Sequence, residues 1–323
     1  MNCKYLIISA AVFLVNFQLV FGNEKLGSLA IAIPEVVRHT PYVSRDPEKR
    51  KGSAPLLSGD TFRFFCDFIV DETSVEFNPS VIRPGNSIFV SMAYLDFFLL
   101  EIFPKIKCPF IIVTSNGSGT IDDRFIPYIQ NEKVIKWFGR NIILEHPKVC
   151  CIPLGLCWFN PDSFHLLVGE YFNALSKESY FKEKINHTYL NIELTHESRI
   201  SVAKTFQEKK FCKISRNVGF DIYMSDLAES RFVLSPRGFN IDCYRTWEAL
   251  YAGSIPVVES YGINELYKDL PVIIVKDMAS ITKTYLDEEF EKLKEREFCL
   301  EKLHIDYWLL LMRKAREDYL LSL

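Results

Sequence analysis

The chain has 323 residues and a mass of 37.5 kDa, longer than one hydrophobic core usually grows, and its apolar fraction of 48% favours two compact units. Its 38 basic and 41 acidic side chains leave a formal net charge of −3 and a pI near 6.1. That balance excludes a polyanion-binding surface built on bulk charge, so nucleic acid is not an expected partner.

Residues 1–22 have the layout of a secretory signal. Lys4 precedes an almost wholly apolar run from Tyr5 to Phe21, and Gly22 offers a small residue at a cleavage point. Left uncleaved, this run is the chain's expected membrane contact, at the lower limit of a spanning length and weakened by Asn16 and Gln18. Beyond Cys3 the cysteines are Cys66, Cys108, Cys150, Cys151, Cys157, Cys212, Cys243 and Cys299. An oxidising lumen would pair some of them, with the connectivity open. No second CxxC and no HxxxH accompanies Cys150, Cys151 and Cys157, so no metal site is expected. Sequons at Asn116 and Asn186 suit a lumenal surface.

Residues 26–59, with several prolines and a charged cluster, read as an extended lead-in outside the core. Short apolar runs then follow at 87–91, 110–114, 134–138 and 142–144, separated by helix or turn character. The alternation predicts an α/β layer with a mainly parallel sheet. A second series begins after Asn160-Pro161-Asp162, which places a boundary near residue 161 and divides the mature chain into 23–160 and 161–323. It opens with a helix over 163–176. The polar span 177–210 shows little strand character, and strands are predicted at 211–214, 231–235, 254–259 and 272–275. Residues 287–323 read as one continuous helix.

The informative stretch is 231–258. Phe232 to Leu234 is a buried strand, residues 235–241 form a loop with Pro, Gly and Asn, Asp242 is the expected N-cap of a helix, Gly253 ends that helix, and Ile255 opens the next strand. The loop therefore sits at the carboxyl edge of a sheet, where open α/β sheets bind ligands, and its backbone amides favour an anion. Arg237 lies in the loop. Arg245 occupies the first helical turn, where the macrodipole disfavours a cation unless an anion offsets it. Glu248 faces the same side as Arg245. The plain alternative is an ion pair between those two side chains.

Ser235-Pro236-Arg237-Gly238, Asp242, Arg245, Trp247-Glu248-Ala249-Leu250, Gly253 and Ile255-Pro256-Val257 resemble the C-terminal nucleotide-sugar signature of the exostosin-type glycosyltransferases, glycosyltransferase family 47. Weaker likenesses extend outward through Phe110 to Asn116, Pro147-Lys148, Ile152-Pro153-Leu154-Gly155, Leu270-Pro271-Val272 and Tyr307-Trp308. The resemblance implies a GT-B fold, with two Rossmann-like domains facing a cleft and a C-terminal helix packing back. The first domain would meet the acceptor and the second would hold the donor. Ser235, Arg237, Gly238, Asn240, Asp242, Arg245 and Glu248 would bind the nucleotide sugar, with the arginines on the diphosphate, Glu248 on the ribose and Asp242 orienting the helix. It also implies inversion at the anomeric carbon, which needs a base; Asp122 and Asp123 are the candidates.

No cofactor is expected beyond a nucleotide-sugar co-substrate, expected to be UDP-linked, and the expected acceptor is a glycan or glycoprotein. Such donors point to the Golgi or endoplasmic reticulum lumen, with secretion as the alternative. A carbohydrate- or nucleotide-sugar-binding protein that kept the fold and lost catalysis is the rival reading.

Overall fold

A computed structural model describes residues 52–74, 77–156 and 176–323. The expected signal, the boundary near residue 161, Cys157 and all but the last residue of the helix expected over 163–176 lie outside the described residues.

Two parallel five-stranded sheets organise the molecule. The first runs in chain order through β1 (Phe68–Val70), β2 (Ser87–Ser91), β3 (Phe110–Ser115), β4 (Val134–Gly139) and β5 (Val149–Cys151). Every residue of β2 and β3 is buried, as expected of parallel strands covered on both faces, and Ile88 pairs with Ile112 while Val113 pairs with Phe138. The second sheet comprises β6 (Asn186–Leu190), β7 (Cys212–Ile214), β8 (Ser230–Leu234), β9 (Ile255–Glu259) and β10 (Ile273–Val275), in the order β10-β9-β8-β6-β7. This is the α/β class, with two successive parallel sheets, expected from the sequence. Around it run α1 (Gly59–Phe64), α2 (Glu197–Phe206), α3 (Phe220–Ala228), α4 (Tyr244–Tyr251), α5 (Lys283–Lys294) and α6 (Ile305–Leu321). Among the described residues no helix is long and apolar enough to cross a membrane.

Several local readings are corrected. Residues 142–144 are not a strand: Asn141 takes left-handed backbone, φ 52°, and turns the chain, so Ile142 makes an isolated bridge to Ile121 and β5 forms later. The polar span 177–210 contains β6, which lies between β8 and β7; its Thr188, Tyr189 and Leu190 are buried although Asn186 and His187 disguise the pattern. The C-terminal helix is two, because Cys299 N–H donates to Asp269 O at 2.8 Å and pulls the chain out of helix between α5 and α6. The lead-in reaches the core at Leu56 and Leu57, both buried.

The core is continuous across both sheets, from Phe89 and Phe138 to Phe232 and Trp247. Helix α6 packs on β4 of the first sheet, and Ile305 N–H donates to Pro55 O at 2.9 Å. Tyr251, the last residue of α4, ties these segments together: its hydroxyl accepts from Leu57 N at 3.0 Å and donates to Leu303 O at 2.6 Å. Cys66, Cys108, Cys150, Cys151, Cys212, Cys243 and Cys299 are free thiols, so the expected pairing is not found among the described residues. Burial pushes Cys151 and Cys212 up to about 12, which keeps both protonated and unreactive. The sequon asparagines are engaged or enclosed. Asn116 Nδ2 donates to Asp60 Oδ1 at 2.7 Å, and the Asn186 amide nitrogen is buried in β6.

Candidate donor-sugar site

Chain order reverses beside β6, which is followed by β7 on one side and joined by β8 on the other. The loops leaving β6 (residues 191–196) and β8 (residues 235–243) therefore flank a topological switch point, the crevice where open α/β sheets place ligands. Helix α2 starts behind the first loop with His196 as N-cap, its ring accepting from Ser198 N. Helix α4 starts behind the second and ends in a Schellman motif: Gly253 has φ 67° and donates to Leu250 O, and Ser254 N donates to Ala249 O. A cavity of ≈ 550 Å³ opens between the loops, lined by His196, Glu197, Ser198, Ser201, Arg237 and Tyr261.

The Arg237 guanidinium lies 5.1 Å from the Tyr261 ring centroid, and its Nε is buried with no partner. Arg245 is half-buried; its Nε and Nη1 are buried and unpartnered. No salt bridge joins Arg245 to Glu248 among the described residues, so the ion-pair alternative does not describe this helix. Glu248 accepts from Tyr223 OH at 2.6 Å. Burial pushes its carboxyl up, while that bond and the nearby Arg245 charge oppose the rise. Neither Arg245 nor Glu248 lines the cavity that Arg237 and Tyr261 enclose.

Asp242 does not cap α4. Cys243 occupies the N-cap position and makes no side-chain cap bond, leaving first-turn amides of the helix without that partner. Asp242 is instead a buried junction. Its Oδ2 accepts from Leu154 N at 2.8 Å, its Oδ1 from Cys243 N at 2.9 Å and Tyr267 OH at 2.9 Å, and both oxygens from Trp247 Nε1 at 3.0 and 2.8 Å. Burial raises its pKa, and these donors pull against the rise. Ser235 is buried with its hydroxyl 2.9 Å from Thr246 Oγ1. Asn240 Oδ1 accepts from Gly119 N at 3.4 Å and Asn141 Nδ2 at 3.3 Å, linking the loop to the first sheet's edge.

Sequence reasoning missed Arg199. It lies in the first turn of α2 and staples the two loops: Nε donates to Arg237 O at 3.0 Å and Pro236 O at 3.3 Å, Nη1 to Glu193 O and Thr195 Oγ1, and Nη2 to Cys243 Sγ at 3.6 Å. Burial lowers its pKa, and the Arg245 charge adds to the lowering. A cation in that turn opposes the helix dipole, so only tertiary contacts account for it there. Arg140, buried at the end of β4 with Nε and Nη2 unpartnered, was missed as well. Its pKa is lowered by burial and pulled back up by Tyr244 and Asp242 nearby.

Asp122 and Asp123 stand beyond the loop that touches Asn240. Asp122 caps a short helical turn and receives Arg124 Nε and Nη2, each at 2.9 Å, which holds its carboxyl below the usual range. Asp123 is exposed.

The family model of the RXYLT1 C-terminal domain matches residues 173–297. That span contains the second sheet and both loops of the crevice, and the match supports a glycosyltransferase class. No curated protein matches. Among solved structures the chain is similar to an alpha,alpha-trehalose 6-phosphate synthase from Burkholderia multivorans, with 8% identity and a TM-score of 0.38 over 76% of this chain and 73% of that one. It is also similar to the GtfA/B complex, with 11% identity and a TM-score of 0.36 over 73% of this chain and 58% of that one, less than two thirds of its length.

Proposed function

We propose that the protein is an inverting glycosyltransferase of the secretory pathway, in the Golgi or endoplasmic reticulum lumen. It would transfer a hexose or pentose from a nucleotide sugar, expected to be UDP-linked, to a glycan or glycoprotein acceptor. The observation that carries this reading is the Arg245 guanidinium, buried in part, with Nε and Nη1 unpartnered, in the first turn of a helix that points at the crevice. A diphosphate there would offset both the side chain and the helix dipole. Arg237, which lines the cavity, and the N-terminus of α2 would hold the same charge as the sugar–phosphate bond breaks, so protein cations would do the work of a metal. Of the two carboxylates proposed as base, Asp123 is favoured, because Asp122 is committed to Arg124 and held in its weakly basic form.

That commitment of Asp122 is also what favours the second reading, a nucleotide-sugar-binding protein without transfer. Nucleotide release from a panel of UDP- and GDP-sugars tests both. Turnover of one donor supports transfer, binding without turnover supports the second reading, and failure to bind any of them overturns the donor site.

A further inference from the structure

Asn141 joins the edge loops of the two sheets through one side chain. It follows β4, is fully buried and holds left-handed backbone at φ 52°. Its Oδ1 accepts from Asp242 N at 3.0 Å, at the end of the β8 loop. Its Nδ2 donates to Gly119 O at 3.2 Å and to Asn240 Oδ1 at 3.3 Å, and its main-chain oxygen accepts from Ile121 N at 3.0 Å. Asparagine suits the position on two counts: it tolerates positive φ, and its amide presents an acceptor and a donor together. Aspartate would turn an oxygen toward Gly119 O and Asn240 Oδ1, where a donor is required.

We infer that Asn141 is a positioning residue that couples the donor loop to the loop at 117–123, so that a nucleotide diphosphate settling on Arg237 also orders the acceptor-side edge of the first sheet. The inference rests on the donor reading above. The physical link is short: Asn240 and Asp242 lie within five residues of Arg237 in one loop, and both are held by the side chain that holds Gly119. A ligand that fixes the β8 loop removes freedom from Asn141, and Asn141 passes that restraint to Gly119 and Ile121.

Amide hydrogen exchange of the whole chain, with and without UDP, tests the coupling in the parent, Asn141→Asp and Asn141→Gly. Glycine keeps the left-handed backbone without strain while deleting every side-chain bond; aspartate keeps the bond to Asp242 and breaks those to Gly119 and Asn240. In the parent, UDP should slow exchange by about tenfold at residues 236–243 and at Gly119 and Ile121 together. Asn141→Asp should bind UDP within about threefold of the parent and protect 236–243, yet protect Gly119 and Ile121 less than the parent does, since only the Gly119 N to Asn240 Oδ1 and Ile121 N to Asn141 O bonds remain between them. Asn141→Gly should speed exchange at both loops before any ligand is added. Protection confined to 236–243 in the parent, or protection of Gly119 and Ile121 in Asn141→Asp equal to the parent's, overturns the coupling while leaving the donor site standing. A parent that binds neither UDP nor GDP shows no response in either loop, which sinks the donor reading and the coupling with it.

Discussion

The guanidinium of Arg199 occupies the space that a side chain at residue 238 would need: a Cβ built on Gly238 would come within 2.7 Å of Arg199 Nη2. The motif's glycine is therefore explained by a residue 39 positions earlier in the chain, at the start of a different helix. Gly238→Ala should displace the guanidinium from the carbonyls of Pro236 and Arg237 and loosen the loop. Because the end of a flexible side chain can give way, the melting temperature should change little while UDP affinity falls about three- to tenfold, near 1 kcal/mol. Calorimetric titration beside a thermal melt checks this, and Arg199→Met should reproduce the affinity loss.

Arg245→Ala separates ligand binding from stability. The side chain has no partner on Nε or Nη1, and its position opposes the macrodipole by about 0.3–1 kcal/mol, so the variant should melt at or slightly above the parent. A charge-assisted bond to a diphosphate is worth roughly 1.5–3 kcal/mol, so UDP affinity should drop about ten- to a hundredfold. A variant that melts well below the parent and binds UDP normally would make Arg245 a structural residue.

Asp242→Asn should have the opposite profile. The amide nitrogen would face donors from Leu154, Trp247 or Tyr267 in a fully buried site, at a cost of roughly 2–3 kcal/mol. Urea unfolding should show a lower midpoint with an unchanged slope. An unaltered midpoint would mean that the carboxylate's charge and its donors contribute nothing to the junction.

Acid stability should depend on Asp71. Burial pushes its carboxyl up, but the Arg63 Nε bond at 2.6 Å and the Thr73 bonds outweigh that and hold it below its ordinary value. With the folded pKa depressed, the unfolded chain binds the proton first. The contribution is thus fully present above pH of about 4 and is lost as pH falls through the folded value. Asp71→Asn should lower stability at pH 7 and flatten the dependence of the unfolding midpoint below about pH 4, measured by denaturant titration across that range.

Transfer activity should survive chelation, since Arg237, Arg245 and the helix termini are proposed to neutralise the leaving diphosphate. Assay with EDTA checks it; loss of turnover that manganese restores would sink the metal-free mechanism.

The part of the site legible in the sequence is the part built from neighbours in the chain. Strand, loop, helix and strand between residues 230 and 259 could be read because the buried run, the loop residues and Gly253 are all local signals. Arg199, Asn141 and Arg140 could not, since each acts on a loop that only tertiary structure brings near. The position of Asp242 before the helix points to a cap, whereas its bonds to Leu154 and Tyr267 come from distant segments and win. Strand β6 hid behind Asn186 and His187, because half of a short strand was too little pattern to register.

Tyr251 also bears on how the protein can be handled at the bench. The stretch that carries both crevice loops, 173–297, ends before Leu303 and begins long after Leu57, so cutting it out would strip the phenol of the carbonyl and the amide it joins. It would also bare the surface that α6 and the lead-in cover. The half that holds the second sheet is contiguous in sequence but not self-sufficient as an object, and a usable fragment would have to include the strap at 52–58 and the final helix, supplied in trans if not in cis.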